Sequence, residues 1–168
     1  VPDRSGLDES NTDRLFSGLY AHIPKTGPQD TEVYVLHLND NDRDDSFLTL
    51  GTHWRSSPEA LGAWDYESEF AFQTGTVGGR DLTAFAGFLE TGYTFAAPGK
   101  PRIALEYSYG SGDGNAADHD EGAFQNLYPT NHLHYGFMDL FSWSNLHDGV
   151  LHLSAKPCEK TTVGVDVH

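Results

Sequence analysis

The chain has 168 residues, which suits a single domain, and its 25 acidic and 10 basic residues give a formal net charge of −15. Nucleic-acid binding is therefore unexpected, because it requires a basic surface. The single cysteine, Cys158, excludes an internal disulfide and a cysteine-rich metal site. The sequence also lacks a run of eighteen apolar residues, which a membrane-spanning helix would need.

Eight stretches alternate apolar and polar residues with a period of two, which predicts strands that each have one apolar face. In chain order they cover residues 15–23, 32–39, 47–55, 63–73, 83–95, 102–109, 150–156 and 161–168. In the fourth stretch Trp64 and Phe70 share the apolar face, and Asp65 and Glu67 lie opposite. In the second stretch we assign Tyr34, Leu36 and Leu38 to the apolar face.

The connections between these strands alternate between short ones, rich in proline and glycine, and longer polar ones. Alternate connections of a meander lie at the same end, so we predict tight turns at one end and long acidic loops at the other. Transmembrane barrels have this layout, with short periplasmic turns and long external loops. We therefore predict one all-β domain, 1–168, that is an antiparallel up-and-down transmembrane β-barrel of about eight strands, with a long external loop at 110–148.

The same alternation also suits a soluble β-sandwich or small barrel that binds carbohydrate, or a glycan-active enzyme with paired carboxylates. Two features favour the membrane. Aromatic residues lie near the strand ends of the apolar face, as in interfacial girdles, and the opposite face is rich in small residues that suit a crowded lumen. The sequence has no Ser-His-Asp signature, phosphate loop or dinucleotide fingerprint, so we expect neither an enzyme nor catalytic residues.

Three segments, GGRDLTAFAGFLETGYTF, KPRIALEYSYGSGD and PTNHLHYGFMDLFSWSNLHD, closely resemble the bacterial alginate export family. The resemblance runs from about Tyr34 to the end of the chain. It implies an outer-membrane porin of Gram-negative bacteria that passes an anionic polysaccharide or related solute by diffusion. The lipid bilayer, that solute and periplasmic export components are the implied partners. The family's barrel has roughly twice as many strands as we count, so we expect this chain to be part of a larger barrel.

A pore for a polyanion is expected to present fixed cations to its lumen, and the resemblance implies lumenal arginines and lysines. The predicted pore-lining or substrate residues are Arg55, Arg80, Arg102, Lys156, Glu69, Glu90 and Glu106. Arg80 is placed in a loop above the others. The polar face is net acidic by our count, and Arg102 with Glu106 is alternatively a salt bridge within the wall.

The long loop divides into an acidic half, 110–122, and an aromatic half, 127–146. The acidic half has little to bury, so we expect it to be disordered, whereas burial of aromatic rings offsets the cost of ordering the other half. The predicted gate at the barrel mouth consists of Tyr135, Phe137, Phe141 and Trp143. Alternatively, these rings extend the membrane girdle, pack the loop's own core or stack on sugar rings.

Two groups of polar residues in this loop are candidates for metal ligands. Asp113, Asp118 and Asp120 could bind Ca²⁺, although their spacing is not that of an EF-hand. His132 and His134 lie two residues apart but lack a third ligand at convincing spacing. No other cofactor is expected.

Overall fold

In a computed structural model of the chain, residues 13–23, 29–56, 61–127 and 142–168 are described and form an all-β structure. The strands are β1 (Arg14–Ile23), β2 (Gln29–Asp40), β3 (Asp45–Ser56), β4 (Trp64–Val77), β5 (Arg80–Thr94), β6 (Arg102–Gly110), β7 (Asp120–Glu121), β8 (Leu146–Cys158) and β9 (Thr161–Val167). Within the described residues, no helix has the length and apolar character needed to cross a membrane.

The strands form one sheet in the order β1-β2-β3-β4-β5-β6-β8-β9, and each strand is antiparallel to the next. The two-residue strand β7 lies off this path and pairs in parallel with β5. Strands β1 and β9 are the two edges, so the sheet is open across the described residues. The predicted meander of eight antiparallel strands is confirmed.

One face of the sheet, called the outer face, carries exposed apolar side chains. The exposed fraction is 78% for Leu19, 60% for Leu105 and 61% for Val165. Nothing in the described part of the chain covers this face, whereas a soluble sandwich would bury it against a second layer. Paired aromatic rings lie near both ends of this face, including Trp64 with Tyr93 at 5.0 Å between centroids. These features are typical of a lipid-facing barrel wall.

The opposite face, called the inner face, carries the acidic side chains of β4, β5 and β6. The prediction for β2 is wrong, because Tyr34, Leu36 and Leu38 lie on this inner face while Val33 and Val35 are exposed on the outer face. The register explains the difference. Leu38 pairs with the buried Phe47, and both side chains belong to an apolar cluster on the inner face.

The connections at the two ends of the strands differ from the prediction. Strands β4 and β5 continue to the pair Val77 and Arg80, joined only by Gly78 and Gly79, whose φ angles are 56° and 75°. Positive φ at both turn residues is the geometry of a tight type I′ hairpin. The predicted alternation of short and long connections is therefore wrong. At this end of the strands, called the loop end, the connections 41–44 and 78–79 are short and only the connection 111–145 is long. The opposite end of the strands is called the turn end.

Residues 111–127, called the inner segment, fold back over the inner face near the loop end. Phe124 is buried in the cluster with Leu38, Phe47 and Leu82. The expected disorder of the acidic half is therefore wrong. In addition to apolar burial, backbone hydrogen bonds hold the acidic half in place. Asp81 N donates to His119 O over 2.8 Å, and β7 extends this pairing.

Candidate functional site

A cavity with a volume of about 1140 Å³ lies on the inner face at the turn end. Strands β2 to β6 and β8 contribute its walls, and the connection 95–101 forms part of its rim. Four of its lining residues are cationic: Arg55, Lys100, Arg102 and Lys156. Four are acidic: Asp30, Asp65, Glu67 and Glu90. The cavity is thus formally neutral in a chain whose net charge is −15.

Arg102 is the cation at the centre of an ion-pair network. Its Nε lies 3.0 Å from Asp65 Oδ2, and its Nη2 also contacts Asp65 and Glu90. The guanidinium lies over Gly92, where an added Cβ would come within 2.3 Å of Nη2. A glycine at this position therefore lets Arg102 reach across β5 to β4.

The alternative pairing of Arg102 with Glu106 is wrong. Arg102 instead pairs with Asp65 and Glu90, because the bare backbone at Gly92 lets its side chain lean away from β6's own acidic residue. Glu106 accepts a hydrogen bond from Ser108 Oγ at 3.0 Å and has its other oxygen 3.2 Å from His152 Nε2. Glu106 therefore belongs to the wall but does not neutralise Arg102, which is paired with Asp65 and Glu90.

Three other cations of the cavity make no ion pair with the described residues: Arg55, Lys100 and Lys156. Arg55 is opposite Glu67 in the strand register, but that carboxylate contacts His53 at 2.9 Å. Arg55, Lys100 and Lys156 are all exposed. These three residues, called the cationic rim, remain available to an anion entering at the turn end.

Lys100 was missed by the sequence analysis. It lies in the connection between β5 and β6, and no strand alternation includes it. Its backbone has a φ angle of 42°, and its N–H donates to Ala97 O over 2.9 Å, which closes a turn. The signal that could have found it is the segment APGKPR, where two prolines and a glycine hold a lysine next to the predicted strand of Arg102.

Glu69 and Glu90 lie on the inner face, as the alternation predicted for their strands, but neither is a bare charge. Glu69 accepts a hydrogen bond from the Tyr34 hydroxyl, and Glu90 is paired with Arg102. Such partners spread the negative charge over neighbouring side chains and fix the carboxylates against the wall. Their role in lining a pore stays a prediction.

Arg80 is far from the cationic rim, because it begins β5 at the loop end rather than lying in a loop. Its guanidinium contacts Glu121 and lies 3.3 Å from Asp113, so it attaches the inner segment to the sheet. The Glu121 side chain is only 6% exposed. The structure therefore places Arg80 in an ion pair with acidic residues that were expected to be disordered.

A second anchor of the inner segment is the fully buried Gln73. Its Nε2 donates to Gln125 O at 2.8 Å and to Thr49 Oγ1 at 3.0 Å, and its Oε1 accepts from Gln125 N at 2.7 Å. The side-chain amide of Gln73 thus bonds to both the backbone N–H and the backbone C=O of Gln125. The inner segment consequently narrows the space on the inner face near the loop end.

Of the predicted gate residues, only Trp143 lies within the described residues. It packs against the apolar cluster of the inner face, with its ring centroid 5.9 Å from that of Phe88. Tyr135, Phe137 and Phe141 lie outside the described residues, as do His132 and His134.

The three candidate calcium ligands make contacts of their own. The Asp113 carboxylate faces Arg80 and accepts from Asn115 N, while the Asp118 carboxylate accepts from Asn115 Nδ2 and from Asp120 N. Calcium binding by these residues stays a prediction.

The sequence model of the family described as alginate export matches residues 1–168. Neither the curated proteins nor the solved structures gave a match.

Proposed function

Because this chain belongs to the alginate export family, whose members are outer-membrane export porins of Gram-negative bacteria, we propose that its inner face lines a passive path for an anionic polysaccharide. The chain is an outer-membrane β-barrel protein of a transport family rather than of an enzyme family. Two parts of this function are proposals: that the transported polymer is anionic and that its passage consumes no energy.

The observation that supports an anionic substrate is the cationic rim. Arg55, Lys100 and Lys156 line one cavity at the turn end and have no carboxylate partner among the described residues. Fixed charges in a narrow channel raise the local concentration of the opposite charge. The rim would therefore attract a polyanion to this end, which we assign to the periplasmic side, where export components would deliver it.

The wall beyond the rim supports movement rather than tight capture. Conduction requires sites that are favourable enough to enter and weak enough to leave. Arg102 is neutralised by Asp65 and Glu90, so the positive field weakens away from the turn end. A polymer carboxylate would then meet exposed cations first and paired ones afterwards.

The test is ion selectivity of the full-length protein in planar bilayers. A triple variant, Arg55→Gln, Lys100→Gln and Lys156→Gln, should shift the reversal potential toward cations and weaken current block by uronate oligosaccharides added on the turn-end side. Arg43→Gln is the matched control, because Arg43 is exposed at the loop end and should leave both quantities unchanged. An unchanged reversal potential in the triple variant would refute the role of the rim.

A further inference from the structure

A histidine and two glutamates converge on the inner face, on three neighbouring strands. Glu90 of β5 and Glu106 of β6 are direct register partners. His152 of β8 pairs with Ala104 of β6, two residues from Glu106 on the same face. Their ligand atoms all lie within 4.8 Å of one another. We propose that Glu90, Glu106 and His152 bind a divalent transition-metal ion of the Zn²⁺ class.

The two distances from the His152 nitrogen to the glutamate oxygens are close to those around a tetrahedral ion. His152 Nε2 lies 3.2 Å from Glu106 Oε2 and 3.8 Å from Glu90 Oε2. Zinc bonds of about 2.1 Å to nitrogen and oxygen at a tetrahedral angle separate two ligand atoms by about 3.4 Å. The observed pair of distances brackets this value. Three protein ligands leave a fourth position for water.

Partners on the far side of each ligand direct the correct atoms inward. Glu90 Oε1 faces Arg102 and Glu106 Oε1 accepts from Ser108, which leaves the Oε2 atom of each glutamate facing His152. His152 Nδ1 lies 2.7 Å from Asp166 Oδ1. A proton on Nδ1 that is donated to Asp166 leaves the lone pair on Nε2, as in carboxylate–histidine–zinc sites.

The charge balance also favours a cation between these atoms. A lone pair on Nε2 that faces two carboxylate oxygens is repulsive unless a proton or a metal ion lies between them. Glu90, Glu106 and Asp166 carry three negative charges, and Arg102, which contacts Glu90, is shared with Asp65. A divalent ion offsets this excess more fully than one imidazolium proton. Mixed nitrogen and oxygen ligands at tetrahedral spacing suit zinc rather than calcium.

His53 on the same inner face shows what a simple ion pair looks like. Its Nδ1 lies 3.2 Å from Glu32 and its Nε2 lies 2.9 Å from Glu67. Among the described residues, each nitrogen therefore faces one carboxylate, and no pair of oxygens converges on either nitrogen. His53 provides a matched control, because it has the same residue types on the same face without the chelating arrangement.

The test is direct measurement of zinc binding to the full-length protein in detergent, with Cys158→Ser as background because this exposed thiol could bind zinc itself. Competition with a chromophoric chelator gives stoichiometry and affinity. His152→Gln and Glu106→Gln should each remove one zinc per chain, and Asp166→Asn should weaken that site by about 10- to 100-fold. His53→Gln should leave stoichiometry and affinity unchanged.

The Asp166→Asn variant is the one that should not disturb folding, because the Asp166 side chain is 60% exposed on the edge strand β9. Heat-modifiable migration on gels verifies that each variant is a folded barrel. Equal zinc binding by the background protein and folded His152→Gln would overturn the proposal. An equal loss in His53→Gln would overturn it as well, because binding would then follow histidine content. Neither result depends on transport.

Discussion

Replacing Gln73 with leucine should release the inner segment from the sheet. Leucine keeps most of the side-chain volume but cannot bond to either backbone group of Gln125. An unpaired buried polar group costs about 1–3 kcal/mol. Gln125 is half-buried, so water can partly replace the lost bonds, and we expect about 2–3 kcal/mol for the two groups together.

Hydrogen exchange of the full-length protein in detergent measures this loss as local opening of the segment. A change of 2–3 kcal/mol corresponds to an increase of about 30- to 150-fold in the exchange rate of the amides of Phe124 and Gln125. The amides of Leu89 and Tyr107, in the ladder between β5 and β6, should exchange as before because that pairing is unaffected.

Thr49→Val is the matched control for this variant. It removes one acceptor of Gln73 Nε2, which still donates to Gln125 O. The loss should not exceed about 1 kcal/mol, or about fivefold in exchange rate. If Gln73→Leu leaves the Gln125 amide as protected as in the wild type, or if Thr49→Val has the same effect, Gln73 is not the anchor.

Three further predictions concern the other faces and ends of the sheet. Arg80→Gln leaves Glu121 without its cation and should weaken docking of the inner segment by about 2–3 kcal/mol, which is less than the cost for a fully buried pair. Limited proteolysis should then cut early within 111–123, and uncut protein would contradict this prediction. Leu105→Arg should cost about 2–4 kcal/mol of folding free energy in lipid vesicles, whereas Ser154→Arg on the cavity wall should cost much less; equal costs would reverse the assignment of the faces. Asp65→Asn gives Arg102 one carboxylate fewer and should move the reversal potential toward anions, and no movement would place this network outside the ion path.

Strand positions and the outer face were predictable because they depend on local alternation. In β4, β5 and β6 most large apolar residues lie at alternate positions, and Phe70, Leu89 and Leu105 are exposed together as expected. In β2 the same reasoning reversed the faces. Alternation shows that two faces differ, but it does not show which one contacts lipid. Leu38 lies inside because part of the inner face is itself an apolar packing surface that includes Phe124, and Tyr34 and Leu36 share its face by alternation.

The partners of charged residues were decided by tertiary structure. Composition predicted the acidic segment to be disordered, because it has few apolar groups to bury. Arg80 holds it instead through Asp113, and Gln73 holds Gln125 just beyond it; both contacts join residues more than thirty positions apart in sequence. Arg102 was identified from the sequence, but its pairing with Asp65 depends on strand register and on the missing side chain at Gly92. Sequence determines which charges a strand presents, whereas register and close approach between strands determine which of them remain free.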